Sequence, residues 1–178
     1  ELEDGEKELK DGWNDYYEGL KEYKDGIKEF EEEIAKALEA DLGKSFEEAF
    51  MCEIGLAKTE ISYLLKNLKK FASKQRVKTP LAQFASKSYR IAVPYGNVLI
   101  MSPWNYPFLL TVEPLTDAIA AGNTAVLKPS AYSPATSEII EKIISETFPE
   151  EYVSVITGGR KENAALLEKK FDFIFFTG

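Results

Sequence analysis

The stretch IMSPWNYPF at residues 100–108 runs an apolar segment into two prolines with Trp104 and Asn105 held between them. A side-chain amide at such a place has two uses. It can cap a turn, as asparagine after a strand often does, or it can take part in chemistry. Lys128-Pro129-Ser130 and Gly158-Gly159 have the same setting, each at the end of a short apolar run. What the chain lacks narrows the chemistry further. There is no histidine and one cysteine, which excludes Ser-His-Asp and Cys-His nucleophiles, zinc sites of ordinary composition and a disulfide framework. No metal site is expected. Cys52 lies in FEEAFMCEIGLAKTEISYLLKNLKKF, where Phe46, Phe50, Ile54, Ile61, Leu64, Leu65 and Leu68 recur at helical spacing. Without a thiolate-stabilising cluster around it, the cysteine reads as a small packing residue rather than a reactive thiol.

The elements that must position these residues fall into three regions. In residues 1–26 the pairs Asp4-Gly5, Asp11-Gly12, Glu18-Gly19 and Asp25-Gly26 repeat every seventh residue, and Leu9, Trp13, Tyr16, Leu20, Tyr23 and Ile27 alternate spacings of four and three. That is a coiled-coil seam. Each glycine costs about 1 kcal/mol of helix propensity, so either the glycines admit a closely packed partner helix or the repeat is a drifting duplication. Residues 27–95 continue the helix to a stop at Gly43, give a second helix over about 45–72, then a basic loop and the strand SYRIAV.

Residues 96–178 alternate strand and helix. Strands are expected at 97–102, 123–129, 152–159 and 171–178, and helices at 107–122, 133–148 and 161–170. Continuously apolar strands between helices indicate a doubly wound, parallel, Rossmann-like α/β sheet covered on both faces and preceded by a helical region. Ligands of such sheets bind at the carboxyl ends of the strands, where Ser102 to Asn105, Lys128 to Ser130 and Gly158-Gly159 fall. The net charge of −8, with acids and lysines interleaved, argues against a nucleic-acid partner. No apolar run reaches the roughly 18 residues of a membrane span. The N-terminus lacks the features of a signal peptide, and the default location is cytoplasmic.

PYGNVLIMSPWNYPF, AAGNTAVLKPS, FPEEYVSVITGG and FDFIFFTG, in this order and spacing, resemble the first part of the NAD(P)-dependent aldehyde dehydrogenase superfamily, in its class 3 or fatty-aldehyde-like branch. DLGKSFEEAFMCEIG and KTPLAQFASKSY fit the same branch. The resemblance implies oxidation of an aldehyde to an acid through a cysteine thioester, with Asn105 matching the oxyanion-hole asparagine. It implies that Lys128 contacts the adenosine ribose and that Met101, Ser102, Trp104 and Ser130 line the cofactor. Gly158-Gly159 would allow close approach near the adenine, and Gly178 would end the pyrophosphate-binding motif. Where many NAD-preferring members carry a glutamate this chain has Ala131, so the cofactor is expected to be NAD or NADP. PLAQFASKSYRIAV resembles the family's oligomerisation strands, which implies a homodimer in the full-length protein. The catalytic cysteine and general-base glutamate belong to later family segments, so the resemblance implies an incomplete sheet and a chain inactive alone, with FIFF exposed at the sheet edge. A coiled-coil interaction module and a noncatalytic nucleotide-binding domain are the competing functions.

Overall fold

A computed structural model describes the backbone of residues 2–178 and the side chains of residues 17–178. Helix α1 spans Leu2–Leu42 without a break at residue 26. Gly43 ends it in the left-handed region, with φ of 68°, the usual conformation of a glycine after a helix. Seam residues Leu9, Trp13 and Tyr16 lie outside the described side chains. Gly19 and Gly26 face open space.

Ser45 caps the next helix, its Oγ accepting from the Glu48 amide at 3.2 Å. The single helix expected over 45–72 is interrupted. It consists of α2 (Phe46–Ala49), a π-helical turn over Phe50–Ile54, and α3 (Gly55–Phe71). The wider turn tucks the Phe50 carbonyl beside Gly55, where a Cβ would stand 2.8 Å from that oxygen. Apolar periodicity does not reveal such an insertion, because one extra residue leaves both flanking helices amphipathic. The stretch read as a basic loop also holds a strand, β1 (Gln75–Val77), which pairs antiparallel with β2 (Ser88–Arg90) as an exposed ribbon. β2 covers only the first half of SYRIAV.

The sheet follows the expected alternation. β3 (Asn97–Met101), α4 (Leu109–Ala120), β4 (Thr124–Lys128), α5 (Pro134–Thr147), β5 (Val153–Val155), α6 (Arg160–Leu167) and β6 (Phe173–Phe176) form a four-stranded parallel sheet in the order β5-β4-β3-β6. The order reverses beside β3, whose carboxyl end is therefore the place where an open α/β sheet offers a ligand crevice. Val98 and Ile100 of β3, with Ala125 and Leu127 of β4, pack against Leu115 of α4 and Ile140 and Ile144 of α5. Ile34 and Leu38 of α1 and Ile54 of the π-turn join the same cluster, which makes the helical region part of the sheet's core. Each of these valine, leucine and isoleucine side chains contributes about 1.5–3 kcal/mol by leaving water.

One face of the sheet is thus well covered. Helix α6 adds little to the core: it has eight residues, none of them buried, and reaches only about 12 Å. β6 is an edge strand whose Phe173, Ile174, Phe175 and Phe176 are all exposed, as expected for FIFF.

Candidate functional site

Asn105 sits in the loop between β3 and α4, exposed, and its side-chain amide makes no hydrogen bond within the described structure. It does not cap the turn. Its backbone is held instead. Lys44, in the short link between α1 and α2, donates from Nζ to the Asn105 carbonyl at 3.0 Å and to Glu53 Oε1 at 2.6 Å. The same ammonium lies 4.2 Å from the centre of the Tyr106 ring. Glu53, fully buried in the π-turn, accepts with Oε2 from the amides of Phe108 and Leu109 at 2.9 and 3.1 Å. Those amides begin α4, so the carboxylate satisfies two otherwise orphaned donors and meets the positive end of the helix dipole. An internal anion fills this helix N-terminus.

A second helix is treated the same way. Asp41, at the end of α1, accepts from the Ala135 and Thr136 amides at 3.1 and 2.7 Å and from Thr136 Oγ1 at 2.7 Å, which caps α5. Pro134 opens that helix, where its missing N–H costs nothing.

Met101, Ser102, Lys128, Ser130, Gly158 and Gly159 come together around one cavity of 210 Å³ at the carboxyl ends of β3, β4 and β5. Lys128 is not a solvated strand end. It is 3% exposed, and its ammonium donates to the carbonyls of Pro129 at 2.7 Å and Gly158 at 2.6 Å. Burial pushes its pKa below the ordinary value, with nearby Glu162 opposing in part. Ser102 Oγ is 2.5 Å from Thr111 Oγ1, which ties the end of β3 to α4. Gly158 has φ of 124°, and a Cβ there would stand 2.6 Å from Glu162 Cγ. Glu162 in turn accepts from the Gly159 amide at 2.7 Å, and hydrogen bonding to its own backbone amide and to that of Gly159 lowers its pKa. Trp104 and Gly178 do not line the cavity. Trp104 is exposed on the Asn105 loop, and Gly178 faces Pro103, to whose Cβ an added Cβ would approach within 3.2 Å.

Sequence reading missed four contributors. Arg160, Asn163, Tyr132 and Phe176 also line the cavity: Arg160 directly follows the glycine pair, Tyr132 follows Ala131 and Phe176 lies within FDFIFFTG, whereas Asn163 stood beside no recognised signal. Asn163 Oδ1 is a buried acceptor with no hydrogen-bond partner. That unsatisfied oxygen, two cations and no lining carboxylate suit a ligand that carries hydroxyl donors and phosphate, as a dinucleotide does. Lys44 and Glu53 were missed as well. Glu53 carried a readable sign, since it lies seven residues after Phe46 and three after Phe50, on the apolar stripe, where a carboxylate needs a partner. Cys52 is half-buried in the π-turn. Among the described residues no group of three potential metal ligands exists, and no helix is long and apolar enough to cross a membrane.

A family model described as "Aldehyde dehydrogenase family" matches residues 13–178. A 4,4'-diaponeurosporen-aldehyde dehydrogenase of Staphylococcus aureus is 47% identical over 146 residues, 82% of this chain and 32% of that protein. Aldehyde dehydrogenase family 3 member I1, chloroplastic, of Arabidopsis thaliana is 46% identical over 145 residues, 82% of this chain and 26% of that protein. A solved structure described as the substrate bound state of Staphylococcus aureus AldH matches with a TM-score of 0.82 and 46% identity, over 89% of this chain and 35% of that one. The chain therefore spans between 26% and 35% of the length of these three proteins.

Proposed function

The chain belongs to the aldehyde dehydrogenase family, and from that premise we propose that it supplies the oxyanion donor and part of the dinucleotide cradle of an enzyme that oxidises an aldehyde to a carboxylic acid. The reacting cysteine and the general base come from family segments outside these 178 residues. Residues 96–178 are the dinucleotide-binding portion, residues 27–95 support and oligomerise it, and residues 1–26 are a helical extension.

The observation that carries this reading is the cavity itself. Six residues matched to cofactor positions line it, one loop away from an asparagine whose amide is unengaged. When bound, NAD(P) accepts the hydride that leaves the substrate carbon. The chain's own residues do the rest of the work described here. The Asn105 NH2 donates to the aldehyde oxygen as thiolate addition makes it an oxyanion. Lys128, held by two carbonyls, keeps an N–H free for a ribose hydroxyl, Asn163 Oδ1 accepts from a second hydroxyl or an adenine amine, and Gly158 leaves room for the base. Ala131 in the lining places no carboxylate against a 2′-phosphate, so both NAD and NADP are accommodated. The exposed β1–β2 ribbon and the loop within it, with Leu81 and Phe84 89% and 84% exposed, form the surface for a homodimer.

Titration of the chain with NAD+ and NADP+ by calorimetry tests the cradle. Binding at millimolar or tighter affinity that is weakened by K128M and by N163A supports it. No binding of either dinucleotide at several millimolar refutes it.

A further inference from the structure

The ion pair of Lys44 and Glu53 is buried on both sides, with side chains 9% and 0% exposed. Burying two charges costs several kcal/mol per ion, and apolar residues of similar volume often stabilise as well. Stability alone is a weak account of this pair. Its hydrogen bonds point to another role. Lys44 takes the carbonyl of Asn105, and its ammonium carries the Tyr106 ring. Glu53 takes the amides of Phe108 and Leu109. One pair thus holds both acceptor and donor groups of a five-residue segment, which no apolar pair can do, and it leaves the Asn105 side chain unengaged. The pair is itself held rigidly. Lys44 follows the left-handed Gly43 and precedes the Ser45 cap, and Glu53 is turned inward by the π-turn, a distortion that recurs at functional sites.

We infer that Lys44 and Glu53 are positioning residues: by clamping the backbone of residues 105–109 they set where the Asn105 amide points, and so the strength of the oxyanion hydrogen bond. This rests on Asn105 being the oxyanion donor. Such a donor acts through fixed geometry, in which a displacement of about 1 Å can cost a hundredfold in rate.

The test uses the full-length gene product with hexanal and NAD+, comparing the parent, N105A, K44M and the double variant, with rates normalised to the dinucleotide-binding fraction. N105A is expected to lower kcat about 100-fold. K44M is expected to lower kcat about tenfold while the KM values for hexanal and NAD+ stay within about twofold, and in the N105A background it should cost less than about twofold. An undiminished tenfold loss in the N105A background, or an unchanged kcat in K44M, overturns the positioning role and leaves the oxyanion assignment standing. An unchanged kcat in N105A refutes the oxyanion assignment and the positioning role with it. If K44M does not fold, E53Q, which keeps the volume and an acceptor for the two amides, is judged by the same criteria.

Discussion

Replacement of Glu53 by glutamine is the sharpest structural perturbation the fold offers. Glu53 has no solvent exposure and accepts three hydrogen bonds, one from an ammonium at 2.6 Å and two from amides at 2.9 and 3.1 Å. Glutamine keeps one oxygen for the amides, but it removes the charge that compensates a Lys44 only 8% exposed. Breaking a buried pair by removing one partner costs about 3–5 kcal/mol, and the retained acceptor puts E53Q at the lower end, about 3 kcal/mol. With a urea m value of about 2 kcal/mol/M, the midpoint falls by about 1.5 M. Adding K44M removes the stranded ammonium, so the double variant should recover about 2 kcal/mol relative to the sum of the two single losses. Equilibrium urea unfolding followed by far-UV circular dichroism and tryptophan fluorescence measures all four corners of this cycle. A loss below about 1 kcal/mol for E53Q, or a coupling near zero, would mean that the pair is hydrated and holds nothing, and the reasoning about the loop would fail with it.

Asp41→Ala removes the three hydrogen bonds that cap α5 and should lower stability by about 1–2 kcal/mol, read as a lower melting temperature with the greatest loss of amide protection at residues 135–137. Lys128 supplies a pH signature: burial depresses its pKa below 10.5, so between the depressed value and 10.5 the unfolded chain holds more protons and stability rises with pH. The difference in unfolding free energy between the parent and K128M should therefore shift in the parent's favour as pH rises through that window, and a pH-independent difference refutes the assignment. Phe84→Asp, on the exposed ribbon, should move the full-length protein toward monomer in sedimentation velocity at micromolar concentration without changing its circular dichroism. Ile174→Lys, on the exposed edge strand, should reduce concentration-dependent light scattering of the chain.

The order of elements was legible because its signals are local. NVLIM between Gly96 and Pro103, TAVLK before Pro129, and the Ser-Pro start of α5 announce themselves within a few residues, and the alternation of apolar strands with helices implies a parallel sheet whatever packs on it. The expected ligand edge followed from the same pattern, since the residues out of place in it fall at a strand end, as Lys128 does, or in the loop beyond one, as Asn105 and Gly158 do. What only the tertiary structure decided depends on partners far apart in the chain. Whether Asn105 caps a turn turned on a lysine 61 residues earlier holding its carbonyl. The burial of Lys128 depended on the Gly158 carbonyl, 30 residues later. Asn163 gained meaning only as an unsatisfied acceptor in a shared cavity. The π-turn that aims Glu53 inward left no mark on the periodicity. Secondary structure is written in neighbouring residues, whereas the direction and charge environment of a side chain are set by whichever distant groups the fold brings within about 3 Å, the range over which a hydrogen bond acts.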